Sequence, residues 1–104
     1  MNSIFAICYS RGPNWVTGKP VFERPLQAHL AYMKTLRSQG RLLLEGPFID
    51  DQGGLVVVIA TGLDATAQAV ADDPAIRCSV MVATAHPWKV LAGEAMLTGS
   101  VAAA

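Results

Sequence analysis

Charge is scarce in this chain. Asp, Glu, Lys and Arg make up 15% of its 104 residues, against about 25% in an ordinary soluble domain. The eight basic and eight acidic residues cancel, so no chain-wide basic field exists to hold nucleic-acid phosphates or anionic lipid. Nucleic acid and membrane are therefore not expected as partners. Long hydrophobic runs are missing too: Leu55 to Ala60 is as long as any, far short of the roughly 20 residues a membrane-spanning helix needs. The start has no basic segment and no small-residue cleavage site, so no secretory signal is expected and the cytoplasm is the expected compartment. Cysteine is limited to Cys8 and Cys78. Their wide spacing fits neither a CxxC redox pair nor a zinc pattern, and a reducing compartment keeps them as buried thiols, which excludes a disulfide framework. What is abundant is apolar surface, with AVILMFWYC at 52% beside nine Gly. The length fits one compact core, and a domain this apolar is expected to bury an extra face in a partner.

Ile4 to Tyr9 read as a first strand, ended by the turn chemistry of Ser10-Arg11-Gly12-Pro13. The polar, Pro- and Gly-punctuated stretch that follows, to Arg24, is long enough to suggest a functional loop. Pro25 opens a helix whose Leu26, Leu30, Met33 and Leu36 recur at helical spacing until Gly40 stops it. Leu42 to Glu45 and Leu55 to Ala60 form a hairpin around Asp50 to Gly54. Asp64 is expected to cap a short Ala-rich helix to Ala71, which Asp72-Asp73-Pro74 must end. Cys78 to Ala85 reads as the fourth strand. Residues 1–88 thus make one domain, and 89–104 a docked or frayed tail.

The order βαββαβ on short connections favours an α+β, ferredoxin-like arrangement: a four-stranded antiparallel sheet with two helices on one face. Right-handed crossovers bring the end of the first strand, the start of the first helix, the hairpin turn and the end of the second helix to one end of the molecule. Cys8, Arg11, Trp15, His29, Phe48, Asp73 and Cys78 belong to that end. His29 lies roughly 45° from the centre of the apolar stripe at about 100° per residue, so it points between helix and sheet. One reading makes it a core imidazole bonded to a carbonyl or water, and the functional one needs a partner. Two carboxylates at a helix C-terminus oppose the macrodipole. One reading makes Asp73 the cap of a turn beginning at Pro74. The other has Asp73 accept a hydrogen bond from His29, fixing its tautomer and making the second ring nitrogen a base.

Competing motifs fail on spacing. Gly12, Gly18 and Lys19 imitate a phosphate loop, but Pro20 replaces its Ser/Thr and no strand runs into a helix there. His29, Cys8, Cys78 and Asp73 include no short-spaced ligand pair, so no metal is expected. There is no GxSxG elbow. His86 is expected to pack or face solvent, and Met81 and Met96 to fill the core.

The run Leu26 to Gly40 with His29, the segment Leu42 to Phe48 with Gly46-Pro47, the Asp51 to Gly54 turn, Asp73-Pro74 and the closing Pro87-Trp88 together resemble the YciI-like (YCII domain) family. The resemblance covers Ile4 to about Trp88. It implies a dimeric α+β barrel with a His and Asp pair in a cleft, carried over to His29 and Asp73. Members include a dehydrochlorinase of a chlorinated hydroxyquinol. Where many relatives have an aromatic residue after Asp-Pro, this chain has Ala75, which changes the pocket wall. The expected function is a small cofactor-independent lyase or isomerase acting on a small organic molecule, with His29 as base or acid, Asp73 as its orienter and Arg11, Trp15 and Phe48 closing the cleft. Two rivals are a non-catalytic, small-metabolite-binding or stress-related dimeric module, and a dimerisation unit with a filled cleft. Apolar residues on both faces of three strands imply a homodimer packed sheet to sheet.

Overall fold

The computed structural model describes residues 2–15, 24–93 and 96. Its elements are β1 (Ser3–Arg11), α1 (Arg24–Ser38), β2 (Leu42–Pro47), β3 (Gly53–Ala60), α2 (Leu63–Ala71), α3 (Pro74–Arg77) and β4 (Met81–Pro87). Residues 16–23 of the loop ahead of Arg24 and most of the expected tail lie outside the described residues. The four strands are all antiparallel in the order β2-β3-β1-β4, which is the ferredoxin-like arrangement.

Alternation along each strand divides the sheet into two faces. Phe5, Ile7 and Tyr9 of β1, Val56, Val58 and Ala60 of β3 and Met81 of β4 join Met33 and Leu36 of α1 and Ala75 of α3 in one buried cluster. The opposite face carries Ile4, Ala6 and Cys8, then Leu55, Val57 and Ile59, then Val82, Thr84 and His86. Tyr32 ties the helical layer together by donating its hydroxyl to the Ala69 carbonyl at 2.7 Å.

Several boundaries differ from the sequence reading, each for a local reason. The fourth strand starts at Met81 rather than Cys78, because Pro74–Arg77 form a separate short helix and Ser79 turns the chain at φ 61°. Asp64 is not the cap of α2. The helix opens two residues earlier, with Gly62 at the N-cap and Asp64 in the first turn. A bulge between Leu42 and Leu44 shifts the register of β2, so Glu45 pairs with Val56 and faces the helices while Leu44 turns to the far face. Met81 is buried, whereas Met96 is exposed and fills no core. Neither cysteine is buried: both are free thiols at the surface, Cys8 on the far face and Cys78 in the cap of α3. No described helix is long and apolar enough to cross a membrane.

Candidate active site

Asp73 occupies the junction between two helices. The residue after Ala71 still has helical dihedrals, but Asp73 itself is extended (φ −67°, ψ 125°) and Pro74 starts α3. One carboxylate oxygen, Oδ1, accepts the Ala75 backbone N–H at 2.9 Å and caps α3. The other, Oδ2, accepts the Tyr9 hydroxyl at 2.8 Å and lies 2.7 Å from His29 Nδ1. The side chain serves as helix cap and histidine partner at once. Asp73 is 0% exposed, His29 8% and Tyr9 4%. A carboxylate in its charged form can only accept, and Nδ1 is then the donor of the pair. Neutral His29 then has Nε2 as its unprotonated nitrogen, and nothing among the described residues hydrogen-bonds it. The Tyr9 ring stands edge-on to the imidazole, with centroids 5.4 Å apart at 64°.

Beside this pair lies a cavity of about 210 Å³. An apolar cavity of about 150 Å³ holds benzene, so the space suits a single ring with small substituents. Its floor is built by absence: Tyr9, Gly54 and Pro47 form one cross-strand row, and Gly54 leaves the middle of that row without a side chain. Leu26, His29 and Leu30 of α1 form the roof. Leu30 belongs to the apolar stripe but is 49% exposed, because it stands at the rim instead of in the core. Trp15, Met81, Glu45 and Asp51 complete the wall.

Of the three residues expected to close the cleft, only Trp15 lines it. Arg11 acts one step back. Its Nε donates to the Asp51 carbonyl and its terminal nitrogen to Asp51 Oδ2, each at 2.9 Å, while its guanidinium lies 5.2 Å from the Trp15 ring centroid. Arg11 thereby holds two wall residues, one of them Asp51 at φ 62°. Phe48 does not line the cavity and is 43% exposed. Pro47 faces the pocket, so its neighbour points the other way. Cys8, opposite Thr84 and Leu55, is not a strand neighbour of Cys78. Among the described residues no group of three His, Cys, Asp or Glu side chains could hold a metal ion.

Tyr9, Glu45, Asp51 and Gly54 were not singled out from the sequence as site residues. Tyr9 had a signal, since it shares the parity of Phe5 and Ile7 and so enters the helix-facing layer with a hydroxyl that needs a partner. Burial, then the Asp73 charge and hydrogen bond, push the Tyr9 phenol far above its ordinary value, and burial raises Tyr32. The folded chain therefore holds these protons more tightly than the unfolded chain. Their contribution to stability is complete below pH 10, where unfolded tyrosine is protonated, and is lost as pH rises above it. Unfolding free energy should fall above pH 10, less steeply in Tyr9→Phe; equal slopes in a denaturation series would contradict this.

A family model for the YCII-related domain matches residues 5–89. The chain belongs to that family. No curated protein matches it. Among solved structures it is similar to 5-chloro-2-hydroxyhydroquinone dehydrochlorinase from Burkholderia phenoliruptrix AC1100 in complex with 2,5-dihydroxybenzoquinone, with a TM-score of 0.66 and 23% identity over 83% of this chain and 93% of that one. At that identity the likeness establishes the shared fold.

Proposed function

We propose that the protein is a small cofactor-independent enzyme, a lyase or isomerase, that moves a proton on a small cyclic molecule bearing hydroxyl groups. The observation that carries this reading is the 2.7 Å contact between His29 and a fully enclosed Asp73 at the wall of a ring-sized cavity. In the forward step Nε2 takes a hydroxyl or carbon-bound proton from the ligand, and Asp73 stabilises the imidazolium that forms. If the substrate carries a ring chlorine, as that of the dehydrochlorinase does by name, the electrons left by the proton expel chloride and the sum is loss of HCl. Trp15, Leu26 and Leu30 supply the apolar contact that holds a ring.

The direct test uses the compounds named with the structural relative. Calorimetric titration with 2,5-dihydroxybenzoquinone should give one site per chain, and 5-chloro-2-hydroxyhydroquinone should release chloride faster with protein than without. Binding without any chloride release or isomerisation would favour the metabolite-binding module, and no binding at all would remove this ligand class.

The working unit in this proposal is a homodimer in the cytoplasm, where two surface thiols suit a reducing medium. The helices all pack on one face of the sheet, leaving Leu44 and Val82 on the other about half exposed, and a second copy would cover them. Sedimentation at micromolar concentration should give twice the chain mass; a stable monomer would sink the dimer.

A further inference from the structure

We infer that Tyr9 is a positioning residue of the site: its hydroxyl, by donating to the same Asp73 oxygen that receives His29, keeps the carboxylate an acceptor and thereby holds His29 in the tautomer whose Nε2 is free. The group is buried, specific and so far without a role in the proton step.

Three donors converge on Asp73, namely Ala75 N–H on Oδ1 and the Tyr9 hydroxyl and His29 Nδ1 on Oδ2. In a fully enclosed place a carboxyl group satisfies its surroundings only in the form that matches them. Were Asp73 to carry a proton on Oδ2, that proton would face His29 Nδ1, the imidazole would have to accept there, and its own proton would move to Nε2. The ring would then present a donor to the cavity in place of a base. Tyr9 opposes this exchange. Its phenol keeps its proton throughout the neutral range, because burial and the Asp73 charge push its ionisation far upward, so it serves as a permanent donor to Oδ2. It also limits rotation of the carboxylate, since Oδ1 is fixed by the Ala75 N–H and Oδ2 by the hydroxyl, independently of His29. The edge-on contact of the two rings fixes the plane in which the imidazole lies.

The elements that hold Tyr9 make this placement rigid. It lies in mid-sheet, paired with Gly54 on one side and Ala83 on the other. Next to that pairing, a Cβ at Gly53 would run into the Tyr9 carbonyl oxygen, and the Gly53 φ of 139° is open only to glycine. The close approach of β3 to β1 at this point sets the height of the phenol over Asp73. Backbone geometry thus positions the tyrosine, the tyrosine positions the carboxylate, and the carboxylate positions the imidazole.

The inference takes its mechanistic meaning from the reading of His29 as the proton-transfer group, but it is tested without any substrate. In protein labelled with nitrogen-15 at histidine, the spectrum contains only His29 and His86, and a His86→Gln sample assigns them. The wild-type protein is expected to show His29 as the Nδ1–H tautomer, with a downfield, slowly exchanging proton that has a nuclear Overhauser contact to the Tyr9 hydroxyl proton. In Tyr9→Phe, which keeps the ring and its packing, that proton signal should be lost to faster exchange and the two ring nitrogens should average between tautomers. An unchanged Nδ1–H signal in a folded Tyr9→Phe would overturn the inference, as would a wild-type His29 in the Nε2–H form. The wild-type measurement stands even if the variant fails to fold. Loss of the tautomer together with unchanged turnover in His29→Ala would retain the positioning role and remove the catalytic one.

Discussion

Asp73→Ala should be the most destabilising single substitution at the site, costing about 3–5 kcal/mol, because several buried hydrogen bonds are lost at once. Alanine at this position leaves the Ala75 N–H, the Tyr9 hydroxyl and His29 Nδ1 without their acceptor, in a place sealed from water. Each unsatisfied buried donor costs roughly 1–3 kcal/mol, although the small cavity left behind can admit water and recover part of it. The Ala75 N–H among them is the helix cap, whose loss by itself typically costs about 1 kcal/mol. For a chain of this size the thermal midpoint should fall by roughly 15 °C or more. A midpoint within a few degrees of wild type would mean that the carboxylate is not held as described. Asp73→Asn should retain much of the stability, because its carbonyl oxygen can stay on the Ala75 N–H.

The second large effect is on rate. For a substrate that the protein turns over, His29→Ala should lower kcat by about 10²- to 10⁴-fold, the usual contribution of a positioned proton-transfer group. Its cost to folding should be smaller than that of Asp73→Ala, since Asp73 keeps two of its three donors. The imidazole of His29 is also needed by no other residue: its Nε2 has no partner among the described residues. A comparable rate loss is expected for Asp73→Asn. With the amide oxygen committed to the Ala75 N–H, the amide nitrogen turns toward His29 and donates, so Nδ1 must accept and the tautomer is the wrong one, as in the corresponding serine-protease substitution that costs about 10⁴-fold. From residue types alone Asp73→Asn would be ranked the milder change, because it keeps an acceptor oxygen; the geometry shows that oxygen to be already occupied. Stable Asp73→Asn protein with wild-type kcat would refute the role assigned to the pair.

The fold was legible because its signals were local and agreed with one another. The β-branched run from Leu55, the stripe through Met33 and Leu36 and the glycine after α1 each name an element, and short connections leave few ways to join them. That topology brings His29 and Asp73 to the same end of the molecule. The rest of the site depended on facts that no local pattern carries. Glu45 reaches the cavity side only because a bulge at Leu42/Leu44 shifts its parity, and strict alternation places it on the other face. Topology places Phe48 at the end of the molecule where the cleft lies, but the alternation that follows from Pro47 turns it outward. Arg11 has the chemistry of a ligand-binding residue, but Asp51 and Trp15 occupy its donors and its face. Whether a side chain is free or already engaged is a tertiary property. For Asp73 the cap and the histidine partner were weighed as alternatives, while two oxygens on one carboxylate can meet both demands.

That double engagement bears on how such a site would change over generations. A mutation that removes both side-chain oxygens should cost a large part of the folding stability before any question of activity arises, so selection for an intact chain alone disfavours it. The imidazole enjoys no such protection. In a lineage that no longer needs the reaction, the histidine can drift while the aspartate stays, and the tyrosine above it stays with its ring. The informative position for separating working copies from retired ones is therefore residue 29, and an oxygen-bearing side chain at residue 73 by itself records only that the protein still folds.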